Sequence, residues 1–343
     1  MTYYNLNDYD YDLPTGLIAQ EPLARRDSSR MMVLNRGEHS IINSTFNQLT
    51  SYLAPGDILV LNNTRVIPAR LLGKVAGKNK EAELLLLHRA DQDRWVCMVR
   101  PGRHLKPGSA VELPGGLEAR IVGLAEEGLR LVEFESSEPF DHILAKYGKV
   151  PLPPYIKKEV DHTDQYQTIY ALEDGSAAAP TAGFHFTDHT FEQLKNAGID
   201  WAYITLHIGP GTFQPVKAED IRNHVMHREY YRIEQAVANR LNQTRKNGGR
   251  IIAVGTTACR VLESVVNQEG QFKAANSSTS LYIYPGFSFR AVDAMLTNFH
   301  LPRSSLLMLV SAMAGYDLIM EAYNQAVREK YRFFSFGDCM LIL

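Results

Sequence analysis

Six short apolar runs crowd into residues 70–136: LLGKV, AELLLLH, WVCMVR, SAVEL, EARIVGL and LRLVEF. The turn signals AGKNK, PGRH, KPG, PGG and EEG fall between them, and none of the runs continues at helical spacing. Runs of this length and punctuation read as strands. A small all-strand segment avoids exposed edges by closing on itself. The spacing therefore predicts a small six-stranded antiparallel β-barrel.

The flanks follow a different pattern, alternating strand and helix. TDHTFEQLKNAGID predicts a helix capped by Thr187 and stopped at Gly198, and WAYITLHI a strand entering the turn GPG. EQAVANRLNQTRKNGG reads as an amphipathic helix, RIIAVG as a buried strand and TTACRVLESVV as another helix. Further on come a strand at SLYIYPG, a buried helix at SSLLMLVSAMAG, an amphipathic helix at DLIMEAYNQAVREKY and a closing strand at FFSFGDCMLIL. Such alternation argues for an α/β domain. Because the strand-rich segment interrupts it, the large domain is expected to be discontinuous. Residues 1–66 and 151–343 form it, and the barrel, residues 67–150, is inserted.

Charge narrows the function classes. Thirty-six Lys and Arg against 38 Asp and Glu leave a formal net charge of −2, which excludes a uniformly basic nucleic-acid binder. A local basic patch remains compatible with RNA. Candidates are Arg25, Arg26 and Arg30, then Arg65 and Arg70 at the barrel entry, followed by Lys74, Lys78 and Lys80. Cys97, Cys259 and Cys339 form no CxxC pair, so neither a disulfide framework nor a zinc cage is expected. The N-terminal residues lack the basic and apolar regions of a signal peptide. The longest apolar run, 306–315, is about half of what a bilayer requires. A cytoplasmic chain without membrane contact is expected.

Four stretches could carry chemistry. PTAGFHFT and TLHIGPGT each set a histidine, His185 or His207, beside glycines that let backbone approach a ligand. Two strand-to-turn junctions with core histidines would look the same. AVGTTACRVLES is a strand, a Gly-Thr-Thr turn and a helix start, suited to an anion or equally to a plain capped helix. No Walker loop and no GxGxxG fingerprint occurs. In HVMHREYY a helix would put His224 and His227 on one face as a metal pair. An extended segment would instead aim Glu229 into a cleft as a base, and a solvated surface stretch is also compatible. In LTNFHLPRSS, Asn298, Phe299 and His300 could bond and stack on an unstacked nucleobase, or simply lead into a helix capped by Ser304.

The segments DYDLPTGLIAQEPLARRDSSRMMVL, LNNTRVIPARL, PTAGFHFT, TLHIGPGTFQPV, HVMHREYY, AVGTTACRVLES, YIYPGFSFRAVDAMLTNFHLPRSSLLMLVSAMAG and YRFFSFGDCMLI together resemble the S-adenosylmethionine:tRNA ribosyltransferase-isomerases of queuosine biosynthesis. The resemblance runs in order from about Tyr11 to the C-terminus; Met31, Met32 and Cys339 depart from the pattern. It implies an α/β, barrel-like large domain with an inserted small barrel, in accord with the interruption above. The implied reaction transfers the ribosyl part of S-adenosylmethionine to a 7-aminomethyl-7-deazaguanine at the tRNA wobble position. Isomerisation gives epoxyqueuosine-tRNA, with release of adenine and methionine. The donor is consumed, and no cofactor, metal, DNA or membrane enters.

A sulfonium acidifies the adjacent C5′–H, adenine leaves best when protonated, and the substrate amine must attack as a free base. His185, His207 and Glu229 are the expected proton-transfer groups. Gly183, Gly209, Gly211, Thr256, Thr257 and Arg260 would hold S-adenosylmethionine. Asn298, Phe299 and His300 would receive the modified base, and Arg25, Arg30, Arg65 and Arg70 the tRNA backbone. Two rival classes are a non-catalytic tRNA-binding module and an S-adenosylmethionine methyltransferase, the latter disfavoured by the missing glycine fingerprint.

Overall fold

The computed structural model describes residues 3–91, 94–125, 128–135, 138–158, 163–209 and 216–343. The chain forms two compact units: residues 1–64, 154–173 and 179–343, and residues 65–153 with 174–178. In chain order the strands of the first segment are β1 (Arg30–Asn35), β2 (Ser40–Thr45) and β3 (Ile58–Asn62), followed by β4 (Thr64–Val66). The barrel strands are β5 (Arg70–Val75), β6 (Glu81–Arg89), β7 (Arg94–Arg100), β8 (Ala110–Glu112), β9 (Glu118–Leu124) and β10 (Arg130–Glu135). After β11 (Glu173–Ser176) come β12 (Asp200–Leu206), β13 (Glu229–Ile233), β14 (Ile251–Val254), β15 (Ala275–Thr279), β16 (Ala294–Asn298) and β17 (Cys339–Ile342).

The smaller unit is a closed antiparallel barrel in the order β10-β7-β6-β5-β8-β9. Alternate residues of its strands, including Leu71, Leu84, Leu86, Cys97, Val111, Ile121 and Val132, fill one apolar core. Successive side chains of a strand point to opposite faces, so the short apolar runs of the sequence supply the barrel's inner wall. Helix α1 (Phe140–Tyr147) packs Ile143 and Leu144 into the same core. Residues 174–178 belong to this unit because β11 pairs with β4, a return that the sequence reading, with 151–343 in one piece, did not anticipate.

The larger unit carries a nine-stranded mixed sheet, β15-β13-β12-β3-β14-β16-β17-β1-β2. At its centre β12, β3, β14 and β16 run parallel. ILVLN of β3, IIAV of β14 and AMLTN of β16 are buried at every position. Continuous burial is the mark of parallel strands covered on both faces. Helices α2 (Asp188–Asn196), α3 (Gln235–Lys246), α4 (Gly255–Val265), α5 (Ser305–Ala314) and α6 (Tyr316–Arg328) complete the unit. Thr187 caps α2 by accepting from the Thr190 N–H, Gly198 follows it at φ +70°, and Ser304 caps α5. The expected strand SLYIYPG does not form. β15 lies just before it, while Ile283 is buried and the Tyr282 hydroxyl reaches Met308 Sδ in α5, so that segment packs by side chains without pairing. Among the described residues no single helix is long and apolar enough to cross a membrane.

Candidate functional site

All four central parallel strands end on the same edge of the sheet. Open α/β sheets bind ligands at that edge, where loops leave the strands and helix N-termini begin. β12 ends at Leu206 beside His207, β3 at Asn62 beside Asn63 and Thr64, β14 at the Gly-Thr-Thr turn, and β16 at Asn298. The antiparallel neighbours bring their starts to the same edge: Asn298 pairs with Cys339, Met31 with Cys339, and Leu206 with Tyr231, two residues from Glu229.

His185 closes a short 3-10 turn, Thr181–His185, and is buried. Its Nε2 lies 3.1 Å from Asn298 Oδ1, and its Nδ1 2.7 Å from Ser29 Oγ. The Asn298 amide is fixed, since its Nδ2 donates to the carbonyl oxygens of Phe334 at 2.8 Å and Ser335 at 3.3 Å. Asn298 Oδ1 can then only accept, so the imidazole carries its proton on Nε2. Nδ1 presents a lone pair to the Ser29 hydroxyl. A cavity of about 20 Å³, enough for one water molecule, adjoins the pair and is lined also by Arg26, Phe184, Ser335 and Phe336. Burial, with a smaller contribution from the Arg26 guanidinium, lowers the His185 pKa to about 4. The ring is neutral near pH 7.

His207 sits at the end of β12 with Nδ1 2.8 Å from the Thr64 hydroxyl. Asn62 holds that strand end in place, accepting from the Leu206 N–H and donating to the Leu206 carbonyl, each at 2.9 Å. Glu229 begins β13 and is buried in an ion pair with Arg260 of α4; its other oxygen accepts from the Gly209 N–H at 3.1 Å. Both carboxylate oxygens are therefore engaged. Arg260 Nε donates to the Leu281 carbonyl at 3.0 Å, whereas its buried Nη2 and the buried Thr257 hydroxyl have no hydrogen-bond partner among the described residues. Thr257 and Arg260 are three residues apart on one helical face. Thr256 is buried beside them, and α4 starts without a side-chain cap. The turn is possible because Gly255 takes φ +86°.

Several expected ligand contacts need correction. A Cβ on Gly183 would fall 1.9 Å from the Tyr170 hydroxyl and 2.8 Å from Thr168 Cγ2, so this glycine serves packing and is closed to a donor. Gly183→Ala is expected to cost about 1–3 kcal/mol by overpacking, read as a lowered unfolding midpoint. Phe299 is fully buried among Tyr323, Tyr331 and Phe333 and has no open face for a base. His300 is also buried, with Nε2 3.2 Å from the Thr297 hydroxyl, and Asn298 spends its amide on His185 and backbone carbonyls. The trio is interior because β16 carries its buried pattern through its end. Gly211 lies outside the described residues. His224 and His227 lie on an extended segment, so they share no helical face. Among the described residues no group of three His, Cys, Asp or Glu could hold a metal. Ser29, Asn62 and Thr64 are the residues missed from sequence. The signal was a polar NNT following the buried run ILVL.

Burial also lowers the His300 pKa to about 3. Both histidines bind protons more readily in the unfolded chain, whose imidazoles titrate near 6.5. The stability these two neutral side chains allow is therefore complete above that pH and is lost as pH drops toward 4. Each histidine contributes a slope of about 1.4 kcal/mol per pH unit in this window. Urea titrations from pH 7 to 4.5 should show the decline, and His300→Gln should remove one such slope.

Comparisons with known proteins agree on one family. The family model described as "Queuosine biosynthesis protein" matches residues 6–342. A protein of Acetivibrio thermocellus named S-adenosylmethionine:tRNA ribosyltransferase-isomerase is 51% identical over 338 residues, covering 98% of this chain and 99% of that one. A protein of the same name from Clostridioides difficile is 48% identical over 336 residues, with 98% of each covered. A solved structure of S-adenosylmethionine tRNA ribosyltransferase from Thermotoga maritima shares 39% identity. It matches with a TM-score of 0.56, over 98% of this chain and 100% of that one.

Proposed function

The chain belongs to the queuosine biosynthesis protein family, and on that premise we propose that it acts as an S-adenosylmethionine:tRNA ribosyltransferase-isomerase. The ribosyl group moves from S-adenosylmethionine to the aminomethyl group of a 7-deazaguanine at the wobble position, and rearranges to the epoxycyclopentanediol. Adenine and methionine leave. The observation that carries the assignment to this edge of the sheet is a pair of buried donors, Arg260 Nη2 and Thr257 Oγ1, that have no partner among the described residues and lie on the first turns of a helix without a side-chain cap. Buried donors without acceptors are costly, and the positive end of a helix favours an anion. The carboxylate of S-adenosylmethionine suits both. Glu229 then acts as the counter-ion that orients Arg260, and Gly209 joins the site through its N–H on Glu229.

Proton transfer falls to the two histidines. His185 is neutral with its Nδ1 lone pair on Ser29, so it accepts a proton delivered through the Ser29 hydroxyl. Asn298 fixes its tautomer. His207, half-buried and held by Thr64, is the second proton-handling group. Incubation with S-adenosylmethionine and precursor tRNA should yield free adenine and methionine in equal amounts. S-adenosylhomocysteine as the product would make the chain a methyltransferase, and neither product would leave it a binding module.

A further inference from the structure

The arginines expected to meet tRNA are already committed. Arg25 lies 3.4 Å from Asp27, and Arg65 3.8 Å from Asp174. Arg30 bonds Glu329 and covers the Tyr331 ring at 3.6 Å, and Arg70 grips both oxygens of Glu83 at 3.0 and 3.3 Å. Each would give up a carboxylate before reaching a phosphate. The barrel unit offers cations without that commitment. At one end of the barrel β5 passes to β6 through residues 76–80, and β7 passes to β8 through residues 101–109. The two connections are joined, since Ala76 N–H donates to the Ala110 carbonyl at 2.9 Å and Val75 pairs with Val111.

Both connections are held in shape. In the first, Val75 N–H donates to Lys80 O at 2.9 Å and Lys78 N–H to Val75 O at 3.0 Å. In the second, Leu105 is fully buried in the barrel core. The Arg130 guanidinium donates to the carbonyls of Leu105 at 2.7 Å and Gly102 at 3.1 Å, and the Ser109 hydroxyl to that of His104 at 3.2 Å. From this frame Lys78, Lys80, Arg103 and Lys106 project, all exposed, and none pairs with a carboxylate among the described residues. All four lie close enough to His104 that their charges, Lys80 first, lower its pKa. Like charges gathered on ordered loops repel one another and do nothing for the barrel. A polyanion that bridges them removes the repulsion.

We propose that this end of the barrel, built from Lys78, Lys80, Arg103 and Lys106, is the surface that receives the phosphate backbone of the tRNA substrate. The inference rests on the tRNA-directed function above. Ordered loops lose little entropy on binding, and cations that carry no carboxylate need no exchange of partners.

The test compares the full-length protein with Lys78→Ala/Lys80→Ala, Arg103→Ala/Lys106→Ala, the fourfold variant and Arg65→Ala/Arg70→Ala. The probes are an unmodified tRNA transcript and its anticodon stem–loop, read by fluorescence anisotropy over a range of salt. The fourfold variant should bind the transcript about tenfold to a hundredfold more weakly, with a salt slope shallower by about 2–3. Its S-adenosylmethionine affinity by calorimetry and its circular dichroism should match the parent. Arg65→Ala/Arg70→Ala should change binding less. If the parent binds tRNA and the fourfold variant matches it in affinity and slope, this surface is wrong and the function stands. A parent that binds no tRNA overturns both. Loss of binding to anionic phospholipid vesicles, with tRNA affinity intact, would assign the patch to a membrane and overturn the proposal.

Discussion

His185→Ala is expected to lower turnover by about 10²–10⁴-fold while the protein stays folded, because His185 is the proton acceptor in the proposed reaction. Ser29→Ala should fall in the same range, since Ser29 Oγ lies 2.7 Å from His185 Nδ1 and both side chains line the adjoining cavity. A structural role for the pair would show as lost stability with kcat intact. Asn298→Asp separates the two more sharply. A carboxylate facing Nε2 favours the imidazolium, so the acid limb of kcat/KM should move from near pH 4 toward neutrality. The sign follows from the proton count: a base with a raised pKa is already protonated at higher pH, and activity is lost there. A pH profile of Asn298→Asp that superimposes on the parent would remove His185 from the chemistry.

Arg260→Met should have the largest effect on stability. Glu229 and Arg260 are both buried, with side-chain exposures of 4% and 5%, and the substitution leaves the carboxylate inside without its counter-ion. Breaking one partner of a buried pair costs about 3–5 kcal/mol, measurable by chemical denaturation. Arg260→Lys distinguishes holding the fold from holding the donor. Lysine keeps the charge beside Glu229 but not the forked geometry that leaves Nη2 pointing onward. The expected result is a largely retained fold with weakened S-adenosylmethionine binding by calorimetry. Unchanged donor affinity in Arg260→Lys would move the donor away from α4.

The barrel was legible because its strands are short apolar runs without helical spacing, most of them ended by a Gly- or Pro-bearing turn; the connection from β6 to β7, ADQD, is the exception. The large sheet was legible as alternating elements but not as a topology. Its order depends on pairings such as Met31 with Cys339, which no local period announces. The closing strand shows the limit, for the apolar run from Phe333 onward becomes strand only over Cys339–Ile342, where β1 and β16 lie on either side. The histidines stood out through their glycine neighbours. Their pairing did not: Ser29 went unnoticed and Asn298 was read as a base contact, because Ser29, His185 and Asn298 come from three strand or turn ends 113 and 156 residues apart. Phe299 was misread for a physical reason. Next to Asn298 and His300 an aromatic ring suggests base stacking, but Tyr323, Tyr331 and Phe333 arrive from later in the chain to enclose it.

The central claim, that this sheet edge transfers and rearranges the ribosyl group of S-adenosylmethionine, is tested most directly by the fate of labelled donor. Two preparations of S-adenosylmethionine, one labelled in the ribose carbons and one in the methyl group, are incubated with the protein and precursor tRNA. The ribose label should enter acid-precipitable tRNA while adenine appears in solution, and the methyl label should remain in free methionine. Ribose transfer and adenine release should both fall by about 10²–10⁴-fold with His185→Ala. Methyl label in the tRNA, with ribose label recovered as S-adenosylhomocysteine, would contradict the assignment outright.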